Sequence, residues 1–196
     1  MKPPKAAPKL RGANSPIMLA EQDRFLARDI QWLSNSNLNR CYHCQSCGNG
    51  CPFIRGMDYP PNGVIRLVQY GMRRQALESH TIWVCVGCHT CSVQCPMGID
   101  IAAVMATLRR LALEEGAMVA ETNILDFHRE VLQSIKQYGR AHKLGIMLRY
   151  KARVHQWFAD LDVGLRMLAK RKMDLKASRV KAMGEITRLF IPHWKR

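Results

Sequence analysis

Residues 41–52 read CYHCQSCGNGCP and residues 85–96 read CVGCHTCSVQCP, and the fold follows from this pair. Cys41, Cys44, Cys47, Cys51 and Pro52 return as Cys85, Cys88, Cys91, Cys95 and Pro96, so the whole ligand pattern of the first copy recurs in the second. The small hydroxyl residue before the third cysteine returns as well, as Ser46 and Thr90. Two copies are too few to stack into a solenoid, so the repeat reads as a duplicated metal module. All eight cysteines of the chain lie within it.

Each copy has the pattern C-x2-C-x2-C-x3-C-P. A cubane 4Fe–4S cluster needs four thiolates aimed at four tetrahedral corners, and cysteines three apart on a tight loop can reach three of them. The fourth, followed by proline, turns away to the neighbouring cube in two-cluster ferredoxins. Applied to this chain, Cys41, Cys44, Cys47 and Cys95 hold one cluster, and Cys85, Cys88, Cys91 and Cys51 hold the second. The interleaving keeps the cubes close together, which suits electron hopping. Zinc sites usually pair two C-x2-4-C knuckles, and a third cysteine with a closing Cys-Pro is not their pattern. A disulfide framework would need an oxidising compartment. His43 and His89 sit inside the groups at different offsets from the first cysteine, and four thiolates already fill each cube. They are read as surface residues or supports for the ligands rather than as ligands.

Composition sets the bounds. With 196 residues, 47% of them apolar or aromatic, the chain can bury a core without staples. The basic start, MKPPKAAPKLRGANSP, leads into no apolar stretch of the kind a secretory peptide requires. Ser79 to Ile99 is uncharged, yet its histidines, threonines, Pro96 and four cysteines exclude it from hydrocarbon. The expectation is a soluble chain in the reducing cytoplasm, with no membrane span. The formal charge is +15, and eight thiolates around two doubly positive cubes would bring it to about +11. The excess is late: residues 140–196 hold fifteen Lys and Arg against four Asp and Glu. Such a region can meet acidic proteins, nucleic acid or anionic lipid, and charge alone does not choose among them.

Around the motifs the periodicity is helical throughout, and no strand is expected. A helix is predicted from about Leu19 to Leu33, then a loop through Asn35, Asn37 and Asn39. Between the motifs, Pro60-Pro61-Asn62 opens a helix that buries Val64, Ile65, Leu67 and Val68 and stops at Gly71. A short helix covers Arg73 to Glu78. Asp100 caps another, with Ile101, Val104, Met105, Leu108 and Leu111 inward and Gly116 at its end. Helices are further expected near 121–138, 143–158, 162–172 and 178–190, with Ile124, Val131, Leu132, Ile135, Leu165, Leu168 and Ile186 among their apolar positions. Trp83 and Val84 are read as packing that keeps water from the second cysteine group. The Lys170-Arg171-Lys172 run reads as a solvated helix end or a grip on an acidic partner. Trp157 and Phe158, beside Arg149, Lys151 and Arg153, read as a protein interface ahead of an amphipathic membrane-surface strip, because the apolar stripe is short.

A helical spacer between the motifs separates this chain from compact bacterial ferredoxins. The sequence resembles the helical dicluster ferredoxins of respiratory iron–sulfur subunits. Within them it resembles the C-type component of heterodisulfide reductase and of related bacterial complexes. The resemblance rests on both cysteine motifs, on MDYPPNGVIRLVQYGM, on TIWVCVGCHTCSVQCPMGIDI leading into MATLRRLALEEG, and on YGRAHKLGIMLRY and DVGLRMLAKRKMDL downstream. It implies an all-α fold, an alpha-helical ferredoxin core carrying two 4Fe–4S clusters with additional C-terminal helices. It also implies a relay passing electrons between a flavin-bearing A-type subunit and a B-type subunit with CCG motifs, within a hetero-oligomeric complex. Members of the family serve methanogenic disulfide reduction, electron bifurcation and sulfur oxidation.

Three regions are accordingly expected: a mobile basic arm over 1–16, a helical dicluster domain over 17–116, and a basic helical extension for subunit assembly over 117–196. No two cysteines are adjacent, so this chain has no CCG motif, and neither G-x-G-x-x-G nor a nucleophile elbow occurs. Chemistry on a substrate is thus expected in a partner. Two other readings compete. A free dicluster carrier would have little use for the long tail. A nucleic-acid-binding protein with structural clusters would suit the basic region, but no recognised nucleic-acid motif accompanies it, so no nucleic acid is expected.

Overall fold

Apolar residues at helical spacing on both sides of the cysteine groups give an all-α chain. The computed structural model describes residues 22–154 and 178–190, with Val163, Arg166, Met167, Ala169 and Lys170 between them. Among these residues there is no strand. The chain divides into two compact units, one ending at Glu121 and the other starting at Thr122.

In chain order the first unit contains α1 (Leu26–Ser34), α2 (Ser46–Asn49), α3 (Pro61–Gln69), α4 (Arg73–Leu77), α5 (His80–Val84), α6 (Thr90–Val93) and α7 (Ile101–Glu114). Helix α3 opens with Pro61, whose missing N–H is no loss in a first turn. It buries Val64, Ile65, Leu67 and Val68 as the spacing predicts. Asp100 caps α7 by accepting the Ala103 N–H at 3.1 Å, and Ile101, Val104, Met105 and Leu108 are buried behind it. Helix α7 packs against α1, α4, α5 and α6 and is the spine of the unit. Each fully buried Leu, Ile or Val there contributes about 1.5–3 kcal/mol.

The turn between α3 and α4 is fixed by Gly71. Its φ of +69° is left-handed, and a Cβ there would collide with the backbone of Asp23. That close approach lets the Asp23 N–H donate to the Gly71 carbonyl at 2.9 Å. Arg73 then pairs with Asp23 and with Glu115, tying the start of the unit to the ends of α4 and α7. These contacts explain a departure from the predicted first helix. Asp23 accepts the Phe25 N–H at 2.8 Å, and α1 begins only at Leu26. Leu19 lies outside the described residues. Helix α5 was not expected as a separate element, because its five residues are too few to show a period.

The second unit contains α8 (Thr122–Tyr138), α9 (Lys143–Val154) and α10 (Met183–Leu189). Its buried stripe differs from the expectation. Leu132 is exposed, while Leu125, Glu130 and Ser134 are the buried residues of α8. Polar partners account for this. Glu130 accepts from Arg149 at 2.9 Å and pairs with Arg153 at 2.8 Å, and the Ser134 hydroxyl accepts the His142 N–H at 2.8 Å. Residues 178–182 are not helical, because the Val180 N–H donates to the Tyr138 carbonyl instead. The expected arm over 1–16, the positions Leu165 and Leu168, and Trp157, Phe158, Arg171 and Lys172 lie outside the described residues. No helix among the described residues is long and apolar enough to cross a membrane.

Candidate metal centre

Each cysteine motif begins on a loop that reverses direction twice. In the first copy His43 and Gln45 have φ of +61° and +65°, and at the corresponding positions of the second copy Gly87 and His89 have +67° and +59°. Left-handed φ is uncommon outside glycine, and its recurrence at the same two places marks a geometry that the thiols require. The different offsets of the two histidines follow directly, since each occupies one of these turning positions. Neither ring is spent on the cysteines: His43 Nε2 lies 3.1 Å from Gln69 Oε1, and His89 Nδ1 lies 3.6 Å from Asp100. Gln69 in turn donates to the Leu38 carbonyl at 2.9 Å, anchoring the first loop on α3.

After the second turn the one-turn helices α2 and α6 carry the third cysteine inward. Cys47 and Cys91 are buried, whereas Cys44 and Cys88 are exposed. The protonation preferences divide the same way. Burial pushes the Cys47 thiol up to about 11 and raises Cys91 as well. Hydrogen bonding to Ser46 holds the Cys44 thiol down, and Thr90 does the same for Cys88, each hydroxyl lying 3.4 Å from the sulfur. The repeated hydroxyl noted in the sequence therefore has the same contact in both copies.

The fourth cysteines cross between the copies. Cys41, Cys44, Cys47 and Cys95 line one open cavity of about 330 Å³. Cys51, Cys85, Cys88 and Cys91 line another of about 390 Å³. At the crossing Gly50 lies beside the exposed carboxamide of Gln94, its counterpart in the second copy. Among the described residues no three His, Cys, Asp or Glu side chains meet at the spacing of a single metal ion, and the thiols ring a void instead. Each void opens to solvent between its four thiols, where a cubane cluster would sit. Four soft sulfur donors on its wall are the ligands such a cluster takes. The residues present fit the group.

Two supports were not apparent from sequence. Asp58 accepts the N–H groups of His80 and Thr81, both at 2.9 Å, and the Thr81 hydroxyl at 2.7 Å. Thr81 also accepts the Tyr59 N–H at 3.1 Å, so the segment after Cys51 is fastened to the helix that leads into Cys85. Ser92 donates to Asp100 at 2.9 Å and accepts the Ala102 N–H at 3.1 Å, which fastens the Cys95 segment to α7. Burial works to raise the Asp100 carboxyl, but the Ala103 N–H and the Ser92 hydroxyl outweigh it and hold the group low. Trp83 is buried, in keeping with a packing role.

Four thiols line each cavity, in duplicate, on an all-α scaffold, a donor set that suits iron–sulfur clusters. Residues 37–99, which include all eight cysteines, match the family of 4Fe-4S dicluster domains. The chain is also similar to an iron-sulfur component, of the C type, of the CoB–CoM heterodisulfide reductase of Methanocaldococcus jannaschii, with 31% identity over 54% of this chain and 53% of the relative. The corresponding C-type component from Methanopyrus kandleri is 30% identical over 54% of this chain and 52% of its own length. A protein of Archaeoglobus profundus, described as like the same heterodisulfide reductase component, is 32% identical over 62% of each chain. The matches thus span about half the length of most of these relatives. They bear out the resemblance read from the motifs, and with the dicluster domain they support an electron-transfer subunit.

Proposed function

We propose that the chain is the electron-relay subunit of a heterodisulfide reductase-like complex and holds two 4Fe–4S clusters. Cys41, Cys44, Cys47 and Cys95 ligate the first, and Cys85, Cys88, Cys91 and Cys51 the second. The observation that carries this reading is the pair of cavities, each walled by three thiols of one copy and the fourth of the other. Each cluster, when bound, takes up and gives back single electrons. The residues around it do the remaining work. Turns at positions 43, 45, 87 and 89 aim the thiols, Ser46 and Thr90 favour the thiolate form of the outer ligands, and burial of Cys47 and Cys91 keeps water from the inner ones. Cys44 and Cys88 are exposed, with Tyr42 and Val86 exposed beside them, so both sites have a face open to a redox partner.

On this reading the partners are a flavin-bearing A-type subunit and a B-type subunit with CCG motifs, joined in a cytoplasmic hetero-oligomer. The dicluster domain is residues 17–116 and the basic extension, 117–196, serves assembly. Its charge suits acidic partner surfaces. Substrate chemistry belongs to the B-type partner. The test is anaerobic purification from the native host, with iron and sulfide analysis and identification of co-eluting chains. About eight iron and eight sulfide per chain, with flavin and CCG-type partners, is the expected result. Zinc without sulfide would end the proposal, and full clusters on a solitary chain would favour a free carrier.

A further inference from the structure

The two sites are alike in their thiols and hydroxyls but not in the charge placed beside them. Arg109, on α7, reaches across to the second copy and donates from Nη1 to the carbonyl of Cys85 at 3.1 Å. Arg109 is half-buried, and its planar guanidinium carries the positive charge. Its neighbour Arg110 is paired with Glu114 at 3.7 Å. Among the described residues no carboxylate lies within ion-pair distance of Arg109, and no cation binds the equivalent carbonyl of Cys41. A partly desolvated, uncompensated positive charge is therefore fixed against the first ligand of one site only.

We infer that Arg109 is a positioning residue that sets the two clusters apart in potential, its charge against the Cys85 peptide favouring the reduced form of the second cluster. The inference rests on the proposed ligation. A reduced cube carries one more negative charge than an oxidised one, so a nearby cation stabilises it, and the more so where water is excluded. The bond to the carbonyl keeps the charge at one distance from the site instead of leaving it on a mobile surface arm.

The test is an EPR-monitored redox titration of the full, cluster-loaded chain, with iron and sulfide measured on the same samples. Ser46→Ala and Thr90→Val remove the hydroxyl from the first and second site respectively, and so identify which midpoint belongs to which cluster. Arg109→Gln should lower the midpoint that Thr90→Val moves and leave the other in place. Arg109→Lys, which keeps the charge, should stay close to the parent protein. Leu113 is exposed one turn further along α7, so Leu113→Glu brings a carboxylate to Arg109 without touching Cys85 and should lower the same midpoint by a smaller step. This second variant keeps the test decisive where Arg109→Gln fails to hold its cluster. Unmoved midpoints in fully loaded variants would overturn the inference, as would equal shifts with Lys and Gln, which would mean a clamp and not a charge. A parent protein that binds no sulfide would instead overturn the ligation on which the inference stands.

Discussion

Replacing Gly71 by alanine isolates the contact that fixes the α3–α4 turn. Two costs are expected. Left-handed φ costs an L residue about 1–2 kcal/mol. The added Cβ would also strike the Asp23 backbone, with the Asp23 carbonyl carbon only 2.9 Å away, and forcing a methyl into a packed site costs about 1–3 kcal/mol. The sum is about 3 kcal/mol, with the Asp23–Gly71 hydrogen bond and the Arg73–Asp23 pair strained together. Gly116 is the natural control, because its φ of +67° is nearly the same and nothing lies within 4 Å of a Cβ there. Alanine at 116 should cost only the backbone term, and the gain from a stiffer unfolded chain is common to both variants. Anaerobic thermal melts at one scan rate, followed by far-UV circular dichroism and by cluster absorbance, measure the difference. At about 2–4 °C per kcal/mol for a chain of this size, Gly71→Ala should melt about 6–12 °C lower and Gly116→Ala about 2–8 °C lower, with Gly71→Ala the lower of the two. Equal melting of the two variants would refute the collision with Asp23.

Cys95→Ala should empty the site of Cys41, Cys44 and Cys47 and spare the other. Combined with Cys44→Ala it should remove no more iron than either change alone, whereas combined with Cys88→Ala it should remove nearly all, as iron analysis will report. While a chelator strips the clusters, mass spectrometry after alkylation should find Cys44 and Cys88 modified first, since both are exposed and their thiols are held low. Cys47 should lag and speed up until the pH reaches about 11, because its raised thiol becomes reactive only as it ionises. Asp58→Ala leaves the His80 and Thr81 N–H groups without their acceptor, at a cost of about 2 kcal/mol, and chelator-driven iron loss should accelerate at the second site before the first.

The cysteine spacing carried most of what the sequence could say about the site, because covalent geometry limits which corners of a cube a short loop can reach. Helices α3 and α7 were equally legible: a proline start, an Asp cap and an apolar face each leave a local signature. What escaped was held by contacts distant in sequence. Asp58 serves the helix that begins 22 residues later, and nothing near it in the chain identifies it as an anchor. Glu130 on α8 looks like a solvated residue until the two arginines of α9 close over it. The start of α1 depends on Gly71, far along the chain, which no local pattern could supply. The unequal offsets of His43 and His89 within the cysteine groups have their reason in backbone angles that composition does not record.

The pair at positions 50 and 94 gives the duplication a direction. The two copies meet where Gly50 lies under Gln94, whose exposed carboxamide fills the space that a side chain at position 50 would take. Transplanting residues 85–96 into the place of 41–52 would set a glutamine against a glutamine, and one of them would have to swing out into solvent. The halves are thus unlike where they meet, a glycine facing a glutamine, and not spare copies of each other. The two halves are coupled at this point, where a larger residue at position 50 would displace the flexible end of Gln94.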